Sequence, residues 1–188
     1  MKTQWLDPPK WREIQELVPI ACVDILPLRL LRGDRNTIEA LGLIMRETPH
    51  QGRRWCLIGG RLCRNESLHD AINREIRDAL GNDLRFTIKE DVQPDFVAEY
   101  FTVPRDNGGF DPRQHAIGLT FCVPIKGKIR PQGEAISFAW FNCFQLPPPE
   151  EFGFDQDRVV AACLGKSIWR LKPPNKRLHR IAQKSGSR

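Results

Sequence analysis

Two acidic side chains three residues apart, Glu75 and Asp78, are the strongest candidates for metal chemistry in this chain. Positions i and i+3 share one face of a helix, so both carboxylates would point the same way. Carboxylate oxygens are the ligands that Mg²⁺ prefers. A double glycine, Gly59-Gly60, precedes the pair, and its backbone can approach a metal or phosphate closely because it carries no Cβ. Acidic residues among arginines more often form only a solvated helix face. The spacing of the surrounding residues therefore has to decide between such a face and a metal site.

Residues 59–84, GGRLCRNESLHDAINREIRDALGNDL, resemble the Nudix box, whose pattern is G-x5-E-x7-R-E-U-x-E-E-x-G-U with U an aliphatic residue. The matching positions are Gly60, Glu66, Arg74, Glu75, Ile76, Asp78 (an acid in place of Glu) and Gly81. Two positions depart from the pattern, because Ala79 replaces the second acid and Asn82 replaces the final aliphatic residue. The resemblance implies an α/β fold, an α/β/α sandwich around a mixed curved sheet.

The resemblance also implies a role for each matching residue. Glu75 is expected to be a metal ligand or general base, with Asp78 as the second ligand and the backbone carbonyl of Gly60 as a further one. The expected ion is Mg²⁺ or Mn²⁺, which would neutralise a diphosphate. Glu66 and Arg74 are expected to form an ion pair that braces the loop against the helix.

A helix is predicted from Ser67 to Leu80, with Asn65 or Ser67 capping its start and Gly81 ending it. Its spacing predicts that residue 79 faces the same metal as the two acids. Ala79 would therefore leave the site with two carboxylates of the usual three. This predicts weaker metal binding, or a ligand recruited from elsewhere in the chain, and it predicts that Ala79→Glu tightens the metal dependence.

The remaining apolar segments predict one domain over residues 17–172, after a polar leader at residues 1–16. Strands are predicted at 17–31, 40–46, 55–58, 84–89, 96–103, 116–125 and 136–143, with a loop at the double glycine. The first strand is predicted to be capable of lying at a sheet edge because Pro19 and Pro27 divide it. A second helix is predicted from about Gln156 to Leu171, capped by Asp155 and stopped by Pro173-Pro174.

Three segments resemble the GDP-mannose mannosyl hydrolase branch of the Nudix family more closely: VPIACVDIL, GLIMRETPHQGRRWCLIGGRL and HAIGLTFCV. The resemblance implies that Arg46 binds the diphosphate, although a surface charge at the end of a hairpin is an equal alternative. His115, which begins the third segment, is a candidate pocket residue, but a structural role is the commoner one for such a histidine. That branch places a catalytic histidine where this chain has GEAISFAW, so Glu134 is the substitute base or metal ligand.

The amino-acid composition limits the class of protein and the compartment that can be predicted. Hydrophobic content of 40% and charged content of 28% indicate a globular chain, and no apolar run is long enough to span a bilayer. The N-terminus lacks the apolar block of a secretory signal, which predicts a cytoplasmic protein. The net charge of +6 comes from the last 24 residues, which hold eight Lys or Arg and no acid. A basic tail at residues 173–188 is expected to be disordered, and its lack of interleaved aromatic residues argues against nucleic-acid binding.

These observations predict an enzyme that uses Mg²⁺ to hydrolyse a nucleoside diphosphate joined to another group, with a nucleotide sugar such as GDP-mannose as the favoured substrate. The resemblance also implies a possible homodimer formed through the N-terminal strand. The alternative is a catalytically weak or inactive Nudix domain that binds a nucleotide or a protein partner. The missing acid at Ala79 and the basic tail motivate that alternative.

Overall fold

The computed structural model of the protein describes residues 6–166 and 168–173. The elements are α1 (Pro8–Leu17), β1 (Ile20–Leu30), β2 (Thr37–Thr48), β3 (Gly52–Cys56), β4 (Ile58–Arg61), α2 (Leu68–Leu80), β5 (Leu84–Arg85), β6 (Phe96–Phe101), β7 (Gly109–Phe110), β8 (Ala116–Pro124), β9 (Lys126–Gly127), β10 (Ser137–Phe141), α3 (Asp157–Leu164) and β11 (Arg170–Leu171). A 3-10 turn over Pro149–Glu151 precedes α3. Within the described residues, no helix combines the length and the apolar character that crossing a membrane requires.

A mixed sheet forms the centre of the fold. Its strand order is β10-β2-β1-β8-β6-β7, with β3 and β11 paired to β2 and β4 paired to β1. β1 runs parallel to β8 and antiparallel to β2 and β4. Because β1 pairs with β4 along its first half and with β2 only at its end, the sheet curls open between β2 and β4. The predicted α/β class with a mixed curved sheet is confirmed.

β1 lies at the centre of the sheet between β2 and β8, and not at the edge that its prolines would have allowed. Its six consecutive residues from Val23 to Leu28 are buried, as expected for a strand covered on both faces. Pro27 is tolerated because pairing with β4 ends at Ile25 and pairing with β2 begins at Leu28. The N–H that proline lacks therefore falls in the gap where β1 changes partner.

The box helix forms as its sequence predicts. The Ser67 side chain accepts a hydrogen bond of 3.1 Å from the Asp70 backbone N–H, and Gly81 ends the helix with a φ of +86°. Its apolar residues pack against β1 and β4 as part of the core. The double glycine before it is not a loop, however, because Ile58–Arg61 forms β4 and pairs with β1.

Other predicted elements are shorter than expected. α3 ends at Leu164 rather than at residue 171, and the chain then returns to the sheet as β11. Asp155 does not cap it, because Asp155 has a φ of +57° and Gln156 occupies the N-cap position. β5 is two residues long, and part of the polar leader folds as α1. Residues 174–188 of the basic tail lie outside the described residues, and the domain boundaries stay a prediction.

Candidate active site

The loop before the box helix is tied to it by Arg74. The Arg74 Nε donates to Glu66 Oε1 at 2.6 Å and Nη2 donates to Glu66 Oε2 at 2.9 Å, so the guanidinium forms a two-pronged ion pair. Nη2 also donates to the carbonyl of Arg61, and the Cys63 backbone N–H donates to Glu66. The hydrogen bond from Arg74 is the main reason why the pKa of Glu66 lies below its usual value. The predicted ion pair is thus present and fixes residues 61–66 on α2.

Glu75 projects from α2 into a cavity of the described residues, which has a volume of about 310 Å³. Its carboxylate accepts a hydrogen bond from Arg74 Nη1 and lies against the backbone of Gly60. A Cβ at residue 60 would overlap that carboxylate, so a larger residue there would push the Glu75 side chain aside. Burial raises the pKa of Glu75, and Arg74 opposes that rise. Glu134 and Asp78 add weaker repulsion.

Arg46 and Glu134 face each other at the same cavity. The Arg46 Nη2 lies 2.7 Å from Glu134 Oε2, and both residues line the cavity wall. Burial raises the pKa of Glu134, while the nearby charges of Arg46 and Arg113 lower it. The Arg46 Nε is buried and has no hydrogen-bond partner among the described residues. The ion pair with Glu134 holds the Arg46 guanidinium at the cavity wall.

Asp24 is a buried acid of this cavity that the sequence analysis missed. Tyr100 donates its hydroxyl hydrogen to Asp24 Oδ2 at 3.1 Å, and Gln156 Nε2 donates to the Tyr100 hydroxyl at 3.4 Å. The Leu57 backbone N–H in turn donates to Gln156 Oε1 at 2.9 Å. Burial raises the pKa of Asp24 to about 7, against smaller opposing effects of the Tyr100 hydrogen bond and of Arg46. A charged residue in the middle of the apolar run VPIACVDILPL was the signal that could have revealed it.

Two glycines from neighbouring strands make room for the Asp24 carboxylate. A Cβ at Gly59 of β4 would overlap one carboxylate oxygen, and a Cβ at Gly118 of β8 would overlap the other. Residue 59 pairs with Asp24 across the β1–β4 ladder. The double glycine of the box therefore serves two acids, since Gly59 accommodates Asp24 and Gly60 accommodates Glu75.

The structure does not bring two of the sequence-predicted site residues into the cavity. His115 stacks on Phe101 with ring centroids 5.1 Å apart, and its buried Nε2 has no hydrogen-bond partner among the described residues. Asp78 is exposed on α2, beyond the residues that line the cavity, although its charge still affects Glu75. The metal role of Asp78 therefore stays a prediction.

Ala79 faces the core rather than the cavity, which corrects the predicted direction of residue 79. It is 3% exposed and belongs to the hydrophobic core cluster. The loop before β10 covers this end of the helix, because the Gln132 backbone N–H donates to the Ala79 carbonyl at 2.9 Å. An acid at this position would enter the core instead of the cavity.

Ala79→Glu is therefore expected to lower the free energy of unfolding by about 3 kcal/mol, because it buries an unpaired charge. Urea unfolding at neutral pH measures this change. Asp78→Glu is the matched control, since it places a carboxylate on an equally long stem at the exposed neighbouring position. An Ala79→Glu variant that is as stable as wild type and binds Mg²⁺ more tightly would contradict this burial.

The cavity wall carries the carboxylates of Asp24, Glu75 and Glu134, beside the backbone of Gly60 and the thiols of Cys22 and Cys56. Carboxylate oxygens are the ligands that a hard divalent cation such as Mg²⁺ or Mn²⁺ prefers. Among residues 6–166 and 168–173, no three His, Cys, Asp or Glu side chains are close enough together to hold a metal as they stand. The donor chemistry therefore fits a divalent metal, while the carboxylates are dispersed around the wall and Glu75 is held by Arg74.

Comparison with solved structures places this geometry among known folds. A possible asymmetric diadenosine tetraphosphate hydrolase from Jonesia denitrificans is 30% identical, with a TM-score of 0.71 over 79% of this chain and 94% of that chain. A MutT/nudix family protein from Enterococcus faecalis is 16% identical, with a TM-score of 0.57 over 86% and 74% of the two chains. A bifunctional NMN adenylyltransferase/ADP ribose pyrophosphatase from Francisella tularensis, in complex with AMP and a Mn ion, is 15% identical, with a TM-score of 0.54 over 83% and 44%. No curated protein matches the sequence.

The curled mixed sheet, the helix that carries the box and these structural neighbours define the Nudix hydrolase fold. Within this class, residues 1–161 match the model of the family described as Domain of unknown function (DUF4916). The chain belongs to that family. The match includes α1 and all the residues of the cavity described above.

Proposed function

We propose that this protein hydrolyses a nucleoside diphosphate joined to another group, with Mg²⁺ or Mn²⁺ as its cofactor. The favoured substrate is a nucleotide sugar such as GDP-mannose. One observation carries the proposal: Glu75 of the box helix reaches a cavity that also contains the Arg46–Glu134 pair and Asp24. Two structural neighbours support the same substrate class, since one is a possible diadenosine tetraphosphate hydrolase and the other an ADP ribose pyrophosphatase with AMP and manganese.

Glu75 and the carbonyl of Gly60 are the proposed metal ligands, with Asp78 as a further ligand from the exposed side of α2. When bound there, the metal neutralises the diphosphate and polarises the attacked centre. Glu75 carries the larger part of this role because it lines the cavity, whereas Asp78 lies outside it. Glu66 and Arg74 hold the loop that positions Gly60.

Arg46 is the proposed diphosphate ligand, because a guanidinium can donate two parallel hydrogen bonds to phosphate oxygens. Glu134 orients Arg46 through their ion pair and is a candidate base for the attacking water. Attack at phosphorus is the proposed reaction. A substrate phosphate that binds the Arg46 guanidinium would compete with Glu134 for Nη2 and so free Glu134 to accept a proton from the water.

Asp24 is the proposed proton donor to the leaving group. A carboxyl whose pKa is about 7 carries a proton in a large fraction of molecules at neutral pH, which suits a general acid. The hydrogen bond from Tyr100 to Oδ2 fixes the carboxyl group. Asp24 and Glu75 thus differ in their environments, since an arginine holds Glu75 and a neutral hydroxyl holds Asp24.

The experiment that tests the proposal is a substrate panel with purified full-length protein. Nucleotide sugars, ADP-ribose, dinucleoside polyphosphates and nucleoside triphosphates are incubated with Mg²⁺, with Mn²⁺ or with EDTA, and the products are separated by chromatography. We expect metal-dependent release of a nucleoside monophosphate or diphosphate from at least one diphosphate-linked substrate. Absence of turnover across the whole panel with both metals contradicts the proposal.

The second candidate function is a Nudix domain that binds a nucleotide or a protein partner without hydrolysing it. Two observations favour it: Glu75 is already engaged by Arg74, and the acids in the described residues do not form a ready cluster. Thermal stabilisation by a panel nucleotide, with no product formed from it, supports this function. Turnover that needs both the metal and Glu75 excludes it.

A further inference from the structure

The outer wall of the cavity is formed by α1, a helix that precedes the sheet. Within α1, Trp11, Ile14 and Gln15 are half-buried and every other residue is exposed. These three positions share one face of the helix. Trp11 and Gln15, one turn apart, both line the cavity. The residues by which α1 contacts the domain therefore include two that also face the open space of the cavity.

Two side-chain contacts hold this wall in place. The Arg61 guanidinium carbon lies 4.0 Å from the centroid of the Trp11 ring, within the range of a cation–π interaction. The Gln15 Nε2 donates a hydrogen bond of 2.7 Å to Gln114 Oε1. Arg61 ends β4, and Gln114 lies just before β8, so α1 is fastened to two strands on either side of β1.

The sheet register places this wall apart from the catalytic acids. Arg61 pairs with Cys22, whereas Asp24 pairs with Gly59 two residues further along β1. Two residues of a strand span about 7 Å. The cavity therefore has one end with acidic residues and Arg46, at Asp24, and another end near Trp11 with an aromatic ring and two primary amides. Arg61 and the Asp111–Arg113 ion pair also line the cavity beside this second end. A nucleotide has the same two-ended chemistry, since its phosphates are anionic and its base is a flat ring with polar edges.

We infer that Trp11 is the nucleobase-binding wall of this cavity, with Gln15 and Gln114 as the amides that hydrogen-bond to the edge of the base. The inference rests on the proposed function, since it assigns the base-recognition part of the same site. Aromatic side chains bind bases by stacking, which tolerates any base because each has a π-face. An amide carries both donors and acceptors, so the two glutamines can discriminate between bases by their edges.

Calorimetric binding of nucleoside monophosphates tests the inference without requiring turnover. The ligands are AMP, GMP and UMP, with ribose 5-phosphate as the control ligand that lacks a base, each in the presence of Mg²⁺. We expect Trp11→Ala to weaken binding of the tightest monophosphate by about ten-fold, in line with the loss of one base–aromatic stack. Ribose 5-phosphate should bind equally to both proteins.

Two further variants distinguish a loss of base stacking on Trp11 from a general disruption of α1. Trp11→Phe keeps an aromatic face and should retain monophosphate affinity within about three-fold of wild type. Arg12→Ala changes the exposed neighbour on α1 and should have no effect. Equal weakening of ribose 5-phosphate and monophosphates in Trp11→Ala would overturn the inference, and so would a failure of Trp11→Phe to retain affinity.

The outcomes also separate this inference from the proposed function. If the protein hydrolyses a panel substrate but the Trp11 variants bind monophosphates as wild type does, the base-binding role of Trp11 is overturned and the proposed hydrolase function stands. If monophosphate binding depends on Trp11 but no panel substrate is hydrolysed, the proposed hydrolase function is overturned and the base-binding role of Trp11 stands. A wild-type protein that binds none of the three monophosphates more tightly than ribose 5-phosphate overturns the wall directly.

Discussion

Replacing Glu75 with glutamine is expected to lower kcat on the best panel substrate by about 10³-fold. The amide keeps the size of the side chain and removes the charge that would hold the metal and support proton transfer, effects that each contribute about 10²- to 10⁴-fold. Glu75 lies at the cavity wall, so its charge acts in a partly desolvated site. Steady-state kinetics at saturating Mg²⁺ measure the loss, and calorimetry should show weaker Mg²⁺ binding in the variant.

Glu99→Gln is the matched control for this experiment. Glu99 is an exposed residue of β6 that does not line the cavity, so the same chemical change there should leave kcat and metal binding unchanged. Thermal unfolding of both variants checks that the fold is retained. Turnover of Glu75→Gln within ten-fold of wild type would show that this carboxylate does not serve the reaction.

Replacing Asp24 with asparagine is expected to remove a pH dependence of stability amounting to as much as about 4 kcal/mol. The folded-state pKa of about 7 lies above the ordinary 3.8 of an aspartate, so the native state binds this proton more tightly than the unfolded state. In wild type, this contribution is fully present below pH 4, is lost as the pH rises towards 7, and changes no further above it. Each unit of pKa shift corresponds to about 1.4 kcal/mol.

Urea unfolding at pH 5 and pH 8 measures the difference directly. Wild type should lose stability between the two values through Asp24, and Asp24→Asn should lose less, because asparagine carries no titratable proton. Glu99→Gln again serves as the control, since it removes an exposed carboxylate from the same protein. Identical pH dependence in wild type and Asp24→Asn would mean that Asp24 does not bind its proton more tightly in the folded state.

The box helix could be read from the sequence because its determinants are local. The cap at Ser67, the end at Gly81 and the Glu66–Arg74 pair all lie within one helix and its adjoining loop. The direction of residue 79 could not be read in the same way. Successive helix residues are about 100° apart, so positions 78 and 79 lie on opposite sides of Glu75. Which of the two enters the core depends on the sheet and on the loop before β10.

The remaining parts of the site depend on contacts between distant segments. Asp24 is a cavity residue because β4 and β8 offer glycines beside it, and Tyr100 reaches it from β6. Trp11 reaches the cavity only because α1 folds back over the end of β4. Neither fact follows from the periodicity of a single segment. The central position of β1 was likewise hidden, because the proline that indicates an edge lies where the strand changes neighbours.

A chain of hydrogen bonds runs from the Leu57 N–H through Gln156 and Tyr100 to Asp24, so a residue of α3 can influence the pKa of Asp24. Gln156 is the N-cap residue of α3 and touches the carboxyl only through Tyr100. A substitution at residue 156 can therefore alter how firmly the Tyr100 hydroxyl donates to Asp24, and with it how readily Asp24 gives up its proton. Related proteins can in this way keep the same reactive groups and still differ in the pH at which they work.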